Sequence, residues 1–289
     1  MSVIPKRLPR YYRVKNPPKI QNFRHYLNCL ELIRSYRFLN TAQIIALTGI
    51  SKGNVSTKLQ KLYHNGYVDR YQIPTMEYFR GSAKMIYTLD RKGAELLEER
   101  DPDRFSGIYY PKRKRSVYFV EHALMISNFR ACLTLALEKR RAKLDDWRQG
   151  RELHKQLEKY QAKNLGLFPD AYFSIIHNGK RLHYFFEADR ATMTLTRFYE
   201  KVKRYRKFFR QHRKRLPSRF RVLTLTPTAK RADNLRIVTI NGDSEKAGSK
   251  RFWFTSERQF SLESLNNLLG PIIKIGFLGL EEKCFSILD

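Results

Sequence analysis

The chain has 289 residues, of which 42% are hydrophobic and 13% aromatic; this is enough for two ordinary domains with real cores, and it excludes a disordered chain. Lysine and arginine number 57 against 27 acidic residues, a formal charge of +30, so the expected partners are polyanions, with nucleic acid first and an anionic membrane surface second. No apolar run approaches the roughly 20 residues that span a bilayer, and the basic N-terminus lacks the apolar stretch of a signal peptide. Cys29, Cys132 and Cys284 are too scattered for a disulfide framework or a zinc site, which points to a reducing, cytoplasmic setting.

Residues 1–22 are rich in Pro, Lys and Arg and read either as an arm for a DNA groove or as a disordered tail. From Phe23 the pattern turns helical, with Phe23, Leu27, Leu30 and Ile33 on one face. Thr41 is expected to cap the short helix AQIIALTG. Ser51 is expected to cap KGNVSTKLQKLYHNG, whose Val55, Leu59 and Leu62 face inward and which Gly66 ends. A strand YVDRY, a loop IPTMEYFRGSA, a second strand KMIYTL and a helix DRKGAELLEER complete a domain over 23–100. The Pro, Gly and Asp punctuation of DPDRFSGIYYPKRKR makes 101–115 a linker. Its PKRKR run reads as a phosphate-binding stretch or a targeting signal.

The stretch TAQIIALTGISKGNVSTKLQKLYHNGYVDRY resembles the winged helix-turn-helix domains of many bacterial DNA-binding proteins. That resemblance implies a third helix seated in the major groove. Its outward face carries Lys52, Asn54, Ser56, Thr57, Lys58 and Lys61; Asn can pair with adenine, and Lys can reach guanine or phosphate. The wing offers Arg70, Arg80 and Lys84 to the flanking backbone. The alternative is a winged helix that contacts protein and leaves this polar face to solvent.

Residues 116–289 alternate helix, strand, strand, strand, helix, strand, which argues for an α/β layer around a central sheet. The first helix is SVYFVEHALMISNFRACLTLALEKRRAKL, and a strand is expected near DWRQGREL. PDAYFSIIHNGKRLHYFFEADR reads as a hairpin with its turn at HNGK. The second long helix, TLTRFYEKVKRYRKFFRQHRKR, sets Phe198, Val202, Tyr205 and Phe209 on one face. From Lys201 to Arg215 it has nine Lys or Arg and no acid, a phosphate-binding pattern that includes Lys203, Arg204, Lys207 and Arg210. FRVLTLTP and RFWFTS read as strands, and TAKRADNLRI and SLESLNNLLG as helices.

This order, with Pro169-Asp170 at one strand and Glu187 on the next, is similar to the PD-(D/E)xK nucleases. The expected architecture is therefore α/β and α+β in two domains, a winged helix-turn-helix followed by a restriction-endonuclease-like α/β domain. In that family two carboxylates hold Mg²⁺ or Mn²⁺ and a lysine stabilises the transition state. The resemblance assigns Asp170 and Glu187 as metal ligands. The lysine position holds Asp189, which puts catalysis in question unless Lys201 or Lys203 supplies the ammonium and Glu121, beside His122, a further acid. The other reading is structural, with Asp170 accepting backbone hydrogen bonds at a turn and Glu187 and Asp189 pairing with Arg181 or Arg190.

EHALMISNFRACL, PDAYFSI and FFEADRATMTLTRFYEKVKRYRKFF together resemble the replication-relaxation family of plasmids and other mobile elements. The residues that carry this are His122, Asp170, Glu187 to Thr192, Lys201 and Tyr205, and in that pattern Asp189 is the expected residue. The resemblance implies a role in replication, DNA relaxation or transfer, with double-stranded DNA and replication or transfer proteins as partners. Three activities remain open: a DNA-binding accessory or initiator-like protein, a metal-dependent nuclease or nickase, and a transcriptional regulator using the same winged helix.

Overall fold

The computed structural model describes residues 11–72, 85–105, 115–217, 220–242, 248–280 and 283–289. The chain divides into two compact units, Met1–Asn128 and Phe129–Asp289. The first contains α1 (Arg24–Tyr36), β1 (Leu39–Asn40), α2 (Thr41–Thr48), α3 (Lys52–His64), β2 (Val68–Gln72), β3 (Met85–Leu89), α4 (Arg91–Arg100) and the single turn α5 (Pro102–Phe105). The division falls inside α6 (Val117–Glu138), after Asn128, whereas the sequence suggested residue 116. Of the expected linker, 102–105 is helical and 106–114 lies outside the described residues.

The first unit packs its helices around a small antiparallel sheet of order β1-β3-β2. Leu30, Ile33, Ile44, Val55, Leu59 and Leu62 are completely buried, so α1, α2 and α3 share one core. The cap of α2 is Asn40 rather than Thr41. Asn40 has the extended backbone that turns its side chain onto the helix, accepting from Gln43 N at 2.9 Å while Gln43 Oε1 accepts from Asn40 N at 2.9 Å. Gly49, at φ 65°, ends α2 in the left-handed conformation that admits the tight turn into α3. Ser51 stands at the cap position of α3 but makes no side-chain cap bond. The described end of the N-terminal segment is tied to this unit. Arg13 bonds Asp90 at 2.7 Å, Asp69 at 3.3 Å and the Val68 carbonyl at 3.1 Å, with its guanidinium 4.7 Å from the centre of the Tyr63 ring.

After α6 the second unit runs β4 (Ala142–Gln149), α7 (Arg151–Glu158), β5 (Ala171–His177), β6 (Lys180–Ala188), α8 (Leu195–Gln211), β7 (Phe220–Thr226), α9 (Ala229–Asn241), β8 (Gly248–Ser256), α10 (Leu265–Leu268), β9 (Ile273–Phe277) and β10 (Cys284–Phe285). Among the described residues seven strands form one sheet of order β10-β9-β8-β7-β6-β5-β4. The pairs β6–β7 and β7–β8 are parallel and the others antiparallel. The expected succession of helix, three strands, helix and strand is followed except that α7 stands between β4 and β5: α6, β4, α7, β5, β6, α8 and β7. Several local expectations shift: α6 ends at Glu138 and residues 142–144 open β4, and α8 ends at Gln211 instead of running on to Arg215. Gly150, at φ 58°, breaks DWRQGREL, so the strand ends at Gln149 and Arg151–Glu158 is helical. SLESLNNLLG shrinks to the single turn of α10.

HNGK makes the tight connection of β5 to β6, with His177 opposite Lys180. Asn178 and Gly179 both have positive φ, 49° and 72°, the requirement of the two-residue turn that matches strand twist. Period-two alternation then sorts side chains to two faces. Phe173 and Phe186 meet Phe129 of α6 on one face, with Phe129 stacked 4.5 Å from Phe186. Tyr172, Phe185, Val222 and Phe254 on the other join Phe198, Val202, Tyr205 and Phe208 of α8 and Leu235 of α9. The sheet is covered on both sides, and each fully buried aromatic contributes about 2–3 kcal/mol of apolar transfer. That burial pins α8 across the sheet and sets Lys201 over the ends of β5 and β6.

Candidate nucleic-acid interface and buried carboxylate centre

In the first unit, Lys52, Asn54, Ser56, Thr57 and Lys61 project to solvent from α3, and Lys58 is half-buried. Val55, Leu59 and Leu62 hold the opposite side in the core, so a polar face is presented by a fixed helix. Lys19, Asn22 and His25 add a wall, and with Thr57, Lys58 and Lys61 they line a cleft of about 520 Å³. The wall is held in place: Asn65 Nδ2 donates to the Pro18 carbonyl at 3.2 Å, and Val14 N donates to His64 Nδ1 at 3.4 Å. Burial, with Arg70 and Arg13 nearby, lowers the pKa of His64, which suits its accepting role. Arg70 is not extended toward a flanking backbone. Its guanidinium lies 4.0 Å from the centre of the Tyr63 ring and 5.6 Å from that of Tyr87. Arg80 and Lys84 lie outside the described residues.

In the second unit, the basic helix α8 is capped by Thr194, which accepts from Arg197 N at 3.3 Å. Phe198, Val202, Tyr205, Phe208 and Phe209 are buried, while Lys203, Arg204, Lys207, Arg210, Arg213, Lys214 and Arg215 are exposed. Two of the nine cations between Lys201 and Arg215 turn inward. Lys201 binds Glu187, and Arg206 donates to the Thr239 carbonyl at 2.9 Å. Lys203 sits on the outer side, paired with Glu200 at 2.7 Å.

Asp170, Glu187 and Asp189 are brought to one end of the β5–β6 hairpin, because Ala171 and Phe186 are paired across it. Asp170 Oδ2 accepts from Ala188 N at 2.9 Å, and Asp170 N donates to the Phe186 carbonyl at 3.1 Å. Glu187 is buried, and its two carboxylate oxygens accept from Lys201 Nζ and the Tyr205 hydroxyl. Burial pushes the Glu187 carboxyl up to about 7, with Lys201 pulling it down and Asp170 adding to the rise. Burial pulls Lys201 down, but Glu187, Asp170 and Asp189 outweigh it and leave its pKa above the ordinary lysine value. Tyr205 is raised well above the ordinary tyrosine value by burial and by Glu187.

Asp189 is clamped by Arg231 of α9 in a two-pronged pair, Nε to Oδ2 at 2.7 Å and Nη2 to Oδ1 at 3.2 Å. The same guanidinium donates to the Met193 carbonyl at 2.6 Å, fixing the turn that leads into α8. The expected pairing of Glu187 and Asp189 with Arg181 or Arg190 is replaced by Lys201 and Arg231. Arg181 instead pairs with Asp145 at 3.1 Å. Of the two candidate lysines, Lys201 reaches the carboxylates and Lys203 does not. Glu121 and His122 lie on the part of α6 that belongs to the first unit. Arg231 was missed by sequence reasoning; it lies 42 positions from Asp189 and only the crossover through α8 and β7 joins them.

The donor set is a poor fit to a divalent cation in this arrangement. Among the described residues no group of three or more His, Cys, Asp or Glu is placed to hold a metal ion. Lys201 already occupies Glu187, so a cation bound there has to displace it. As arranged, the centre is a charge network that locks β5, β6 and α8 together.

These features define a two-unit mixed α/β protein with a strongly basic helix laid on a seven-stranded sheet. The chain belongs to the replication-relaxation family, whose sequence profile matches residues 30–220. The matched span includes α2, α3, the three carboxylates and all of α8. No curated protein and no solved structure matches the chain. Among the described residues no helix is long and apolar enough to cross a membrane.

Proposed function

We propose that this protein binds double-stranded DNA of a plasmid or other mobile element and acts in its replication, relaxation or transfer. The observation that carries the proposal is α8 and the turn that follows it: the apolar stripe of α8 is buried while Lys203, Arg204, Lys207 and Arg210 on the helix and Arg213, Lys214 and Arg215 just after it stand exposed. Family membership supports the setting in replication or relaxation. The α2–turn–α3 pair followed by β2 and β3 supports a winged helix whose α3 reads base edges. Lys52, Asn54, Ser56, Thr57, Lys58 and Lys61 then contact DNA through the first unit, and Lys203, Arg204, Lys207 and Arg210 grip phosphates through the second. Division of labour is testable by fluorescence anisotropy. Asn54→Ala should relax discrimination between a preferred site and random duplex, whereas Lys207→Ala should weaken both alike. Equal binding by all three proteins would remove both helices from the interface.

One observation favours a second reading, metal-dependent strand cleavage: Asp170 and Glu187 stand at adjacent strand ends, and Lys201 reaches Glu187 from α8. It requires Lys201 to release Glu187 when Mg²⁺ or Mn²⁺ binds. Nicking of supercoiled plasmid that depends on the metal and disappears in both Asp170→Ala and Glu187→Ala supports it. Nicking that survives both substitutions assigns the carboxylates to structure alone.

A further inference from the structure

A cavity of about 230 Å³ opens in the second unit between α7, the segment that follows α8, and the sheet. It is smaller than the roughly 300–1,000 Å³ of drug-sized ligand pockets, which suits it to a single planar ring system. Tyr160, Tyr172 and Phe220 present aromatic surface, with the Tyr172 and Phe220 ring centres 5.9 Å apart. The Tyr172 hydroxyl is satisfied by His183 Nδ1 at 2.9 Å, so that pair forms a finished wall. Gln156 is different. Its Oε1 is buried at the lining and has no hydrogen-bond partner among the described residues. An unmet buried acceptor is costly, and a rotation of the Gln156 side chain toward the cavity offers it to a ligand carrying an N–H donor. The rim is cationic: Arg215 lines the cavity with its guanidinium 5.2 Å from the centre of the Tyr160 ring, next to exposed Arg213 and Lys214.

Aromatic walls, one orphaned acceptor and a basic rim together match a nucleobase and its phosphate. Resting on the DNA-binding reading above, we propose that this cavity receives one unstacked nucleobase from a single-stranded segment whose backbone runs over the C-terminal end of α8. The base stacks against Tyr160, and an N–H on its pairing edge donates to Gln156 Oε1. Arg215 and its neighbours hold the adjoining phosphate. A base within intact duplex cannot enter, because it has to leave its stack first. The base site therefore takes its base from melted or nicked DNA, while the phosphate contacts of α3 and α8 serve duplex as well.

The test compares three fluorescent probes on the full chain: a short single strand, the same strand with abasic sugars throughout, and a duplex. Base-on-aromatic stacking is worth about 5- to 150-fold in affinity per base, so the ordinary strand should bind at least about five-fold tighter than the abasic one. Tyr160→Ala and Gln156→Leu should each shrink that ratio while duplex affinity changes by less than about two-fold. Gln156→Leu keeps the side-chain bulk on a surface helix and stands in if Tyr160→Ala does not fold. Equal binding of ordinary and abasic strands by the unaltered protein overturns the proposal, as does an unchanged ratio in the Gln156→Leu chain. If duplex binding is intact in either of those cases, only the base site is refuted. Loss of all DNA binding in the unaltered protein refutes the DNA-binding reading as well.

Discussion

Replacing Lys201 with Met removes the ammonium from Glu187 while keeping a side chain of similar length. In the intact protein Glu187 is 4% exposed and its oxygens are held by Lys201 and Tyr205. Breaking a buried pair from one side costs up to about 3–5 kcal/mol where the remaining group stays charged without its counter-ion. The pH dependence separates that cause from simple loss of packing. A carboxyl whose folded pKa lies above its unfolded one keeps its proton longer in the folded state. For Glu187 the values are about 7 and 4.5, so its contribution is fully present below the lower one and lost as pH rises through the upper. In the parent the loss flattens above about 7. The variant lacks the opposing ammonium, its carboxyl titrates higher still, and it goes on losing about 1.4 kcal/mol for each further pH unit. Lys201, raised above its ordinary 10.5, titrates outside this range. The stability gap between parent and variant should thus widen as the pH rises from 6 to 8, by on the order of 1 kcal/mol. Urea titrations followed by tryptophan fluorescence measure it, since Trp147 and Trp253 both lie in the second unit. A gap of the same size at both pH values would refute the buried, partner-dependent carboxylate.

Arg231→Met leaves the buried Asp189 carboxylate unpaired and should cost about 3–5 kcal/mol in the same titration; a cost below about 1 kcal/mol would show the pair to be incidental. Asn40→Ala breaks the capping box of α2 and should lower the stability of the first unit by about 1 kcal/mol in urea, followed by circular dichroism, with no change expected if the cap is not formed. Gly93→Ala sets two effects against each other. Helix propensity favours Ala by about 1 kcal/mol, but the new Cβ would meet the Tyr67 carbonyl oxygen at 2.1 Å. That contact is with backbone and cannot be relieved by a rotamer, so the melting temperature should fall; a rise would place α4 farther from Tyr67.

The features legible in the sequence were those written in local period and turn chemistry. The stripe Phe198, Val202, Tyr205 and Phe209 announced both the helix and its buried face, and HNGK announced the hairpin. Lys201 was one of two candidates; helical phase decides between them, since Lys201 lies three positions after buried Phe198 and four before buried Tyr205 while Lys203 points outward. Pairings across the fold were not legible. Arg231 meets Asp189 only because β6 and β7 run parallel, which brings the start of α9 beside the end of β6. Arg70 looked like a wing contact, but Tyr63 and Tyr87, placed by tertiary packing, capture its guanidinium. The α2 cap moved by one residue because the extended conformation falls on Asn40, and both Asn40 and Thr41 are residue types that can cap.

The central claim is that DNA is held by the outer-face cations of α3 and α8, and the salt dependence of duplex binding tests it most directly. Lys52, Lys58, Lys61, Lys203, Arg204, Lys207 and Arg210 are seven candidate phosphate contacts. At about 0.9 per phosphate neutralised, the logarithm of the binding constant should fall with the logarithm of salt at a slope near −6. The double substitution Lys207→Ala with Arg210→Ala should bring that slope up by about 1.8. A flat response, or a slope untouched by the double substitution, would contradict the account.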